Sequence, residues 1–249
     1  MTLNAASALR PLRYRNFAIL WSASLVSNVG SWMQTVAVGA LVVSRTGQAS
    51  WAVLIAAGAF LPIGLLSPVG GALADQLPRR PVIALGNLAE ALVAAALAAL
   101  ISARHDSPVM LLGLVTVQGS VAALIMPVSQ AILPDLVPRS QFLAASSLNS
   151  AQWNAGRIVG PALAGATVAA FGFGASFVAN AVSFLAVVIA VLFVRLSPPP
   201  GRAESVLGSL RAGLAATRAQ PTCRRSSRWG WWPLWERHSS RSSQPWHCG

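Results

Sequence analysis

The chain has 249 residues, of which 55% are hydrophobic and only 10% are charged, and its mean hydropathy is +0.60. So few charges cannot supply the polar surface of a water-soluble globule, which excludes an ordinary soluble domain and implies lipid around the chain. The net charge of +12 comes from arginine alone, and these arginines flank apolar runs instead of forming a basic face with interleaved aromatics, which argues against a nucleic-acid partner.

In chain order, residues 1–16 form a polar cytoplasmic N-terminus carrying Arg10, Arg13 and Arg15. No small-residue cleavage site follows, so it does not read as a signal peptide. Apolar runs then occur at Phe17 to Val43, Trp51 to Ala74, Pro81 to Ser102, Val109 to Leu133, Ala144 to Ala170 and Phe173 to Val194. Each is about 20 residues or longer, enough to cross a hydrocarbon core of about 30 Å. Residues 17–196 are therefore expected to form a bundle of six transmembrane helices, with short connections such as Phe171 to Gly174 making successive helices antiparallel neighbours.

Arginines set the orientation. Arg10, Arg13, Arg15, Arg79, Arg80, Arg139, Arg195, Arg202, Arg211 and Arg218 fall on one side of this arrangement, against Arg45 and Arg104 on the other. The positive-inside rule makes the first side, and with it the N-terminus, cytoplasmic.

After the sixth run, residues 197–221 open with Ser197-Pro198-Pro199-Pro200 and read as the start of a cytoplasmic linker. From Thr222 the composition breaks: residues 222–249 gather Trp229, Trp231, Trp232, Trp235 and Trp246 with both cysteines, Cys223 and Cys248. The expectation is a frame-shifted, disordered tail, with an interfacial anchor as the alternative. The cysteines and the histidines His238 and His247 have no metal-site spacing, so neither a disulfide framework nor a bound metal is expected.

A faint repeat relates the two halves of the bundle. Pro68 and Pro161, each within a glycine-rich stretch, lie 93 residues apart, and Phe17 and Met110, at or next to the starts of the first and fourth runs, share that offset. Two three-helix units of opposite orientation would give this offset.

Four polar residues inside the runs are candidates for a substrate or proton pathway: Glu90, Arg157, Gln34 and Asn154. An ionisable side chain near mid-membrane is costly and must face a cavity, the bundle interior or a partner. Glu90 either binds a proton or cationic substrate, with Arg157 biasing its protonation, or the two merely hold helices together, as a static Glu90–Arg157 pair or through separate local hydrogen bonds. Small residues along every run, including Gly156, Gly160 and Gly165 around Pro161, permit close helix approach.

The loop Gly71-Ala72-Leu73-Ala74-Asp75-Gln76-Leu77-Pro78-Arg79-Arg80 resembles the motif Gly-x-x-x-Asp-Arg-x-Gly-Arg-Arg of the major facilitator superfamily. Gly71, Asp75, Arg79 and Arg80 match it, whereas Gln76 and Pro78 depart. The resemblance implies a conformational latch at Gly71, Asp75, Arg79 and Arg80. The stretch Gly156-Arg157-Ile158-Val159-Gly160-Pro161-Ala162-Leu163-Ala164-Gly165 is similar to the fifth-span motif of the superfamily's exporters, which makes Gly156, Gly160, Pro161 and Gly165 a helix-packing motif and tilts direction toward efflux. The fourth run lacks the arginine often seen in proton-coupled exporters of that superfamily. With Leu133-Pro134-Asp135 and Asn149, the pattern is most similar to the siderophore and macrolide (drug) exporter branch, over about Leu12 to Arg218.

The resemblance implies an all-α fold, the N-terminal half of a twelve-helix transporter with an inverted 3+3 repeat. It also implies a small-molecule efflux permease of the cell membrane whose partners are the lipid bilayer, its substrate, protons, and a missing C-terminal half or a second copy. The alternative is a truncated, inactive fragment that needs that half. No cofactor is expected, and a chain without lysine cannot form a nucleotide-binding Gly-x-x-x-x-Gly-Lys loop. Nor does any intramembrane His/Asp or Ser/His constellation suggest an enzyme.

Overall fold

Residues 9–194 are described by the computed structural model; the expected linker and tail, and the arginines from Arg195 onward, lie outside them. Lipid offers no hydrogen bonds to a spanning backbone, and the chain answers with helices that satisfy their own. After a 3₁₀ turn at Arg10–Arg13 come α1 (Arg15–Thr46), α2 (Ala49–Gln76), α3 (Arg79–Ser102), α4 (Pro108–Ala131), α5 (Phe142–Phe171) and α6 (Phe173–Phe193). Short turns at Leu133–Leu136 and Arg139–Gln141 lie between α4 and α5.

These helices overlay the six apolar runs to within a few residues. All except α5 contain a stretch apolar enough to cross a bilayer. At 30 residues α5 has the length, but Asn149, Gln152, Asn154 and Arg157 interrupt its hydrophobicity.

Local chemistry sets the ends. Gly47 closes α1 in the left-handed region (φ 68°), its amide bonding the Val43 carbonyl at 2.8 Å. The Ser107 hydroxyl accepts the Met110 amide ahead of α4, with Pro108 opening the helix. A single residue, Gly172 at φ 81°, turns the chain from α5 into α6. Hydroxyls inside the helices, such as Thr35 on the Ser31 carbonyl and Ser67 on the Ile63 carbonyl, bond their own backbone and hide a polar group from lipid.

The helices pack most extensively as α1–α5, α2–α4 and α3–α6, and next as α1–α6 and α3–α4. Exchanging α1–α3 for α4–α6 carries α1–α5 onto α4–α2 and α1–α6 onto α4–α3, and leaves α3–α6 in place. The inverted three-helix repeat is thus present in the packing. Sequential neighbours depart from it: α1–α2 and α5–α6 touch, whereas their images α4–α5 and α2–α3 do not pack comparably.

The α2–α4 contact is a close backbone approach, since a Cβ on Gly70 would lie 2.6 Å from the Ala123 carbonyl oxygen and one on Gly119 would strike the Ala59 carbonyl. The core has three levels. One apolar cluster joins Phe17, Leu20, Ile83, Val128 and Val191, and a second joins Val38, Leu41, Ile55, Leu97, Leu111 and Phe177. Along α1, α3 and α6 the buried polar residues Ser27, Gln34, Asn87, Glu90, Asn180 and Ser183 fall between the two. Large apolar side chains such as Leu65, Leu92, Ile158 and Phe193 point outward, where only lipid suits them.

Candidate functional site

The polar level opens onto a cavity of about 310 Å³ bounded by residues of all six helices. Glu90 and Asn87 of α3 line it, one helical turn apart, and both are buried. The Asn87 amide is spent on the Ile83 carbonyl at 2.8 Å. Glu90, at 6% exposure, has no hydrogen bond or ion pair among the described residues.

Opposite runs a chain of side-chain hydrogen bonds crossing three helices in one donor direction. The Ser183 hydroxyl donates to Asn180 Oδ1 (3.1 Å), Asn180 Nδ2 to Gln34 Oε1 (2.7 Å), and Gln34 Nε2 to Gln118 Oε1 (2.6 Å). Gln118 lines the cavity, and its own amide NH₂ has no acceptor among the described residues. The Trp21 indole N–H, also in the cavity wall, is another unpartnered buried donor. The cavity therefore presents one carboxyl group and two spare donors against walls of Phe17, Trp32, Phe60, Trp153 and Phe184.

Arg157 and Asn154 lie elsewhere. With Trp32, Phe60, Ser150 and Trp153 they line an open groove of about 630 Å³. The Arg157 guanidinium stands 5.4 Å from the centroid of the Trp32 ring, within cation–π range, and Trp32 in turn lies 6.0 Å from Phe60 at 35°. No Glu90–Arg157 ion pair forms, so the static pair considered from the sequence is corrected: Glu90 on α3 faces the cavity, whereas Arg157 on α5 is exposed in the groove.

The glycines of α5 set this geometry. A Cβ on Gly156 would lie 2.5 Å from Asn28 Nδ2, and one on Gly160 would lie 2.5 Å from the Trp32 Cβ and 3.0 Å from the Val29 carbonyl oxygen. Asn28 also donates to the Gln152 carbonyl at 2.8 Å. Gly156 and Gly160 thus press α5 against α1 and fix the ring on which Arg157 rests. Pro161 lacks the amide that would otherwise bond the Arg157 carbonyl. Gly165 is not part of this contact, for a Cβ there would meet nothing within 4 Å.

At one end of the bundle, Arg79 pairs with Asp135 at 2.7 Å, and Arg80 donates to the Leu192 carbonyl in the last turn of α6. A guanidinium suits that position, since carbonyls at a helix C-terminus carry partial negative charge. Gly71 faces open space, and the close approach to α4 is made instead by its neighbour Gly70. Asp75 falls in the final turn of α2, and its side chain lies outside the described set. At the other end Arg45 and Asp106 pair at 2.9 Å.

Sequence reasoning named Glu90, Gln34, Asn154 and Arg157 but not the aromatic panels Trp32, Phe60 and Trp153, which line both the cavity and the groove. The signal was present in register: Trp32 stands one turn past Asn28, on the face that Gly156 and Gly160 cover.

An all-helical bundle with apolar outer faces, a polar mid-level and a lined cavity has the architecture of a multi-pass membrane protein. The chain belongs to the transmembrane secretion effector family of the major facilitator superfamily, which it matches over residues 6–226. It is 29% identical over 210 residues to the "Uncharacterized MFS-type transporter YfiS" of Bacillus subtilis, covering 81% of this chain and 49% of that protein. The staphyloferrin A transporter of Staphylococcus aureus is 28% identical over 173 residues (69% and 44%). The multidrug efflux pump Tap of Mycolicibacterium fortuitum is 27% identical over 220 (81% and 52%). The chain spans about half the length of these relatives.

Proposed function

We propose that the chain is the N-terminal bundle of a secondary active exporter in the cell membrane, with all six helices spanning the bilayer and the N-terminus cytoplasmic, and that its cavity is one wall of the substrate path. The observation that carries this is Glu90, a buried carboxyl group in the cavity wall at the polar mid-level with no hydrogen-bond or ion-pair partner among the described residues. A charge there must be compensated by something that arrives, either a proton or a cationic group. Gln34, through its bonds to Gln118 and Asn180, holds the facing wall rigid. The relatives named as a staphyloferrin A transporter and a multidrug efflux pump support a small-molecule cargo and outward direction.

A second reading concerns the chain alone. It spans about half of its relatives, and in this superfamily's architecture the path lies between two bundles. The chain then transports only with a C-terminal bundle or a second copy beside it.

Everted membrane vesicles containing the chain, with and without a co-expressed C-terminal bundle, test both readings with ethidium and erythromycin as probes. Gradient-driven uptake into these vesicles is expected, and Glu90→Gln reduces it to the level of empty vesicles while the folded protein persists. Unchanged transport in that variant removes Glu90 from the mechanism.

A further inference from the structure

Arg157 lies 15 residues past the start of α5, about 22 Å along it and close to the middle of the helix. A guanidinium at that depth is costly unless compensated. The described acidic side chains do not compensate it: Asp106 is held by Arg45, Asp135 by Arg79, and Glu90 lines the cavity from α3. Arg157's recorded partner is the face of Trp32, which leaves the guanidinium N–H groups aimed at no acceptor within the described bundle.

The surroundings are suited to a ligand. Trp32, Phe60 and Trp153 form aromatic walls, and the groove volume of about 630 Å³ falls in the range that holds a drug-sized molecule. Asn154 spends its NH₂ on the Ser150 carbonyl at 2.9 Å, so Arg157 is the charged donor of the groove. Gly156 and Gly160 lock Trp32 in place, so the guanidinium rests on a fixed ring before any ligand arrives. The same three aromatics line the central cavity, so groove and cavity share a wall.

We propose that Arg157 is an anion-binding subsite at the side of the path, and that the chain takes organic carboxylates carrying an aromatic or apolar body: the body lies against Trp32, Phe60 and Trp153 while the carboxylate pairs with the guanidinium. A planar guanidinium can accept a carboxylate in its fork and keep its stacking on indole, which an ammonium cannot do equally. This rests on the reading of the cavity as a transport path, but its test does not use transport.

The full chain is purified into nanodiscs of phosphatidylcholine, and equilibrium binding of radiolabelled 2-naphthoate and 2-naphthylmethylamine, which share a body and differ in charge, is measured without any gradient. The wild type is expected to bind the carboxylate about tenfold more tightly than the amine, the scale of one charge-assisted pair. Arg157→Gln abolishes that preference, Arg157→Lys restores part of it, and Trp32→Leu weakens both probes. Equal affinity of the two probes for the wild type overturns the proposal, as does an undiminished preference in Arg157→Gln, which would assign the guanidinium to a carboxylate on another bundle. Should Arg157→Gln fail to fold, the wild-type comparison and Arg157→Lys still decide. A chain that binds naphthoate through Arg157 yet moves no substrate even with the co-expressed C-terminal bundle refutes the transport reading and leaves this one standing.

Discussion

Gly160 and Gly165 belong to one motif in the sequence and to two environments in the structure. Residues advance about 100° each around a helix, so Gly156 and Gly160 lie within about 40° of one another, whereas Gly165 is rotated a further 140° or so from Gly160. The first two therefore meet α1 and the third does not. Gly160→Ala, forced against the Trp32 Cβ and the α1 backbone, is expected to cost about 1–3 kcal/mol. Gly165→Ala should stay within about 0.5 kcal/mol. Thermal unfolding in detergent distinguishes them, and equal losses would contradict the packing. The same rotation separates Gly70, which touches α4, from Gly71, which the loop pattern singles out. Spacing along the chain reveals which residues form a motif, but the facing of each depends on a helix pairing that the chain order does not contain.

At the level of helices, boundaries were legible because bilayer thickness imposes them: each apolar run has the length its helix needs, and Gly47, Pro108 and Gly172 mark ends by their own backbone chemistry. The partnerships α1–α5 and α2–α4 were not legible, because helices that are apolar all round lack the one-sided periodicity that would show which face meets a neighbour. The loop between α2 and α3 carries a testable pairing. The side chains of Arg79 and Asp135 are 14% and 21% exposed, whereas in the Arg45–Asp106 pair the guanidinium side chain is 53% exposed and the carboxylate 7%. A double-mutant cycle of Arg79→Ala and Asp135→Ala is expected to give a coupling of about 0.5–3 kcal/mol. The Arg45–Asp106 cycle should give about 0–1 kcal/mol. Coupling in the reverse order would show that the first pair does not hold the loop.

For the whole molecule, the positive-inside pattern makes a prediction about sidedness. With Cys223 and Cys248 replaced by serine, Gln48→Cys between α1 and α2 is expected to react with a membrane-impermeant maleimide on intact cells. Ser140→Cys between α4 and α5 reacts only after permeabilisation. The opposite result would invert the bundle and place the Arg79–Asp135 pair outside. At this scale the repeat was visible as an offset of 93 residues, and the packing gives it physical content, since helix partnerships in one unit have images in the other. The pairing of the cavity with an aromatic-walled groove was not visible, because it is assembled from α1, α2 and α5 together.

The turn at Gly172 has a consequence for how the chain enters lipid in the first place. α5 alone among the six has no stretch apolar enough to partition by itself, and α6, joined to it through one residue, has such a stretch. A one-residue tether leaves no slack for α5 to wait in water while α6 inserts. With α5 spanning the bilayer as proposed, the two enter as a single hairpin, so that the one helix without such a stretch, with its arginine, is carried in by the apolar free energy of the helix made after it.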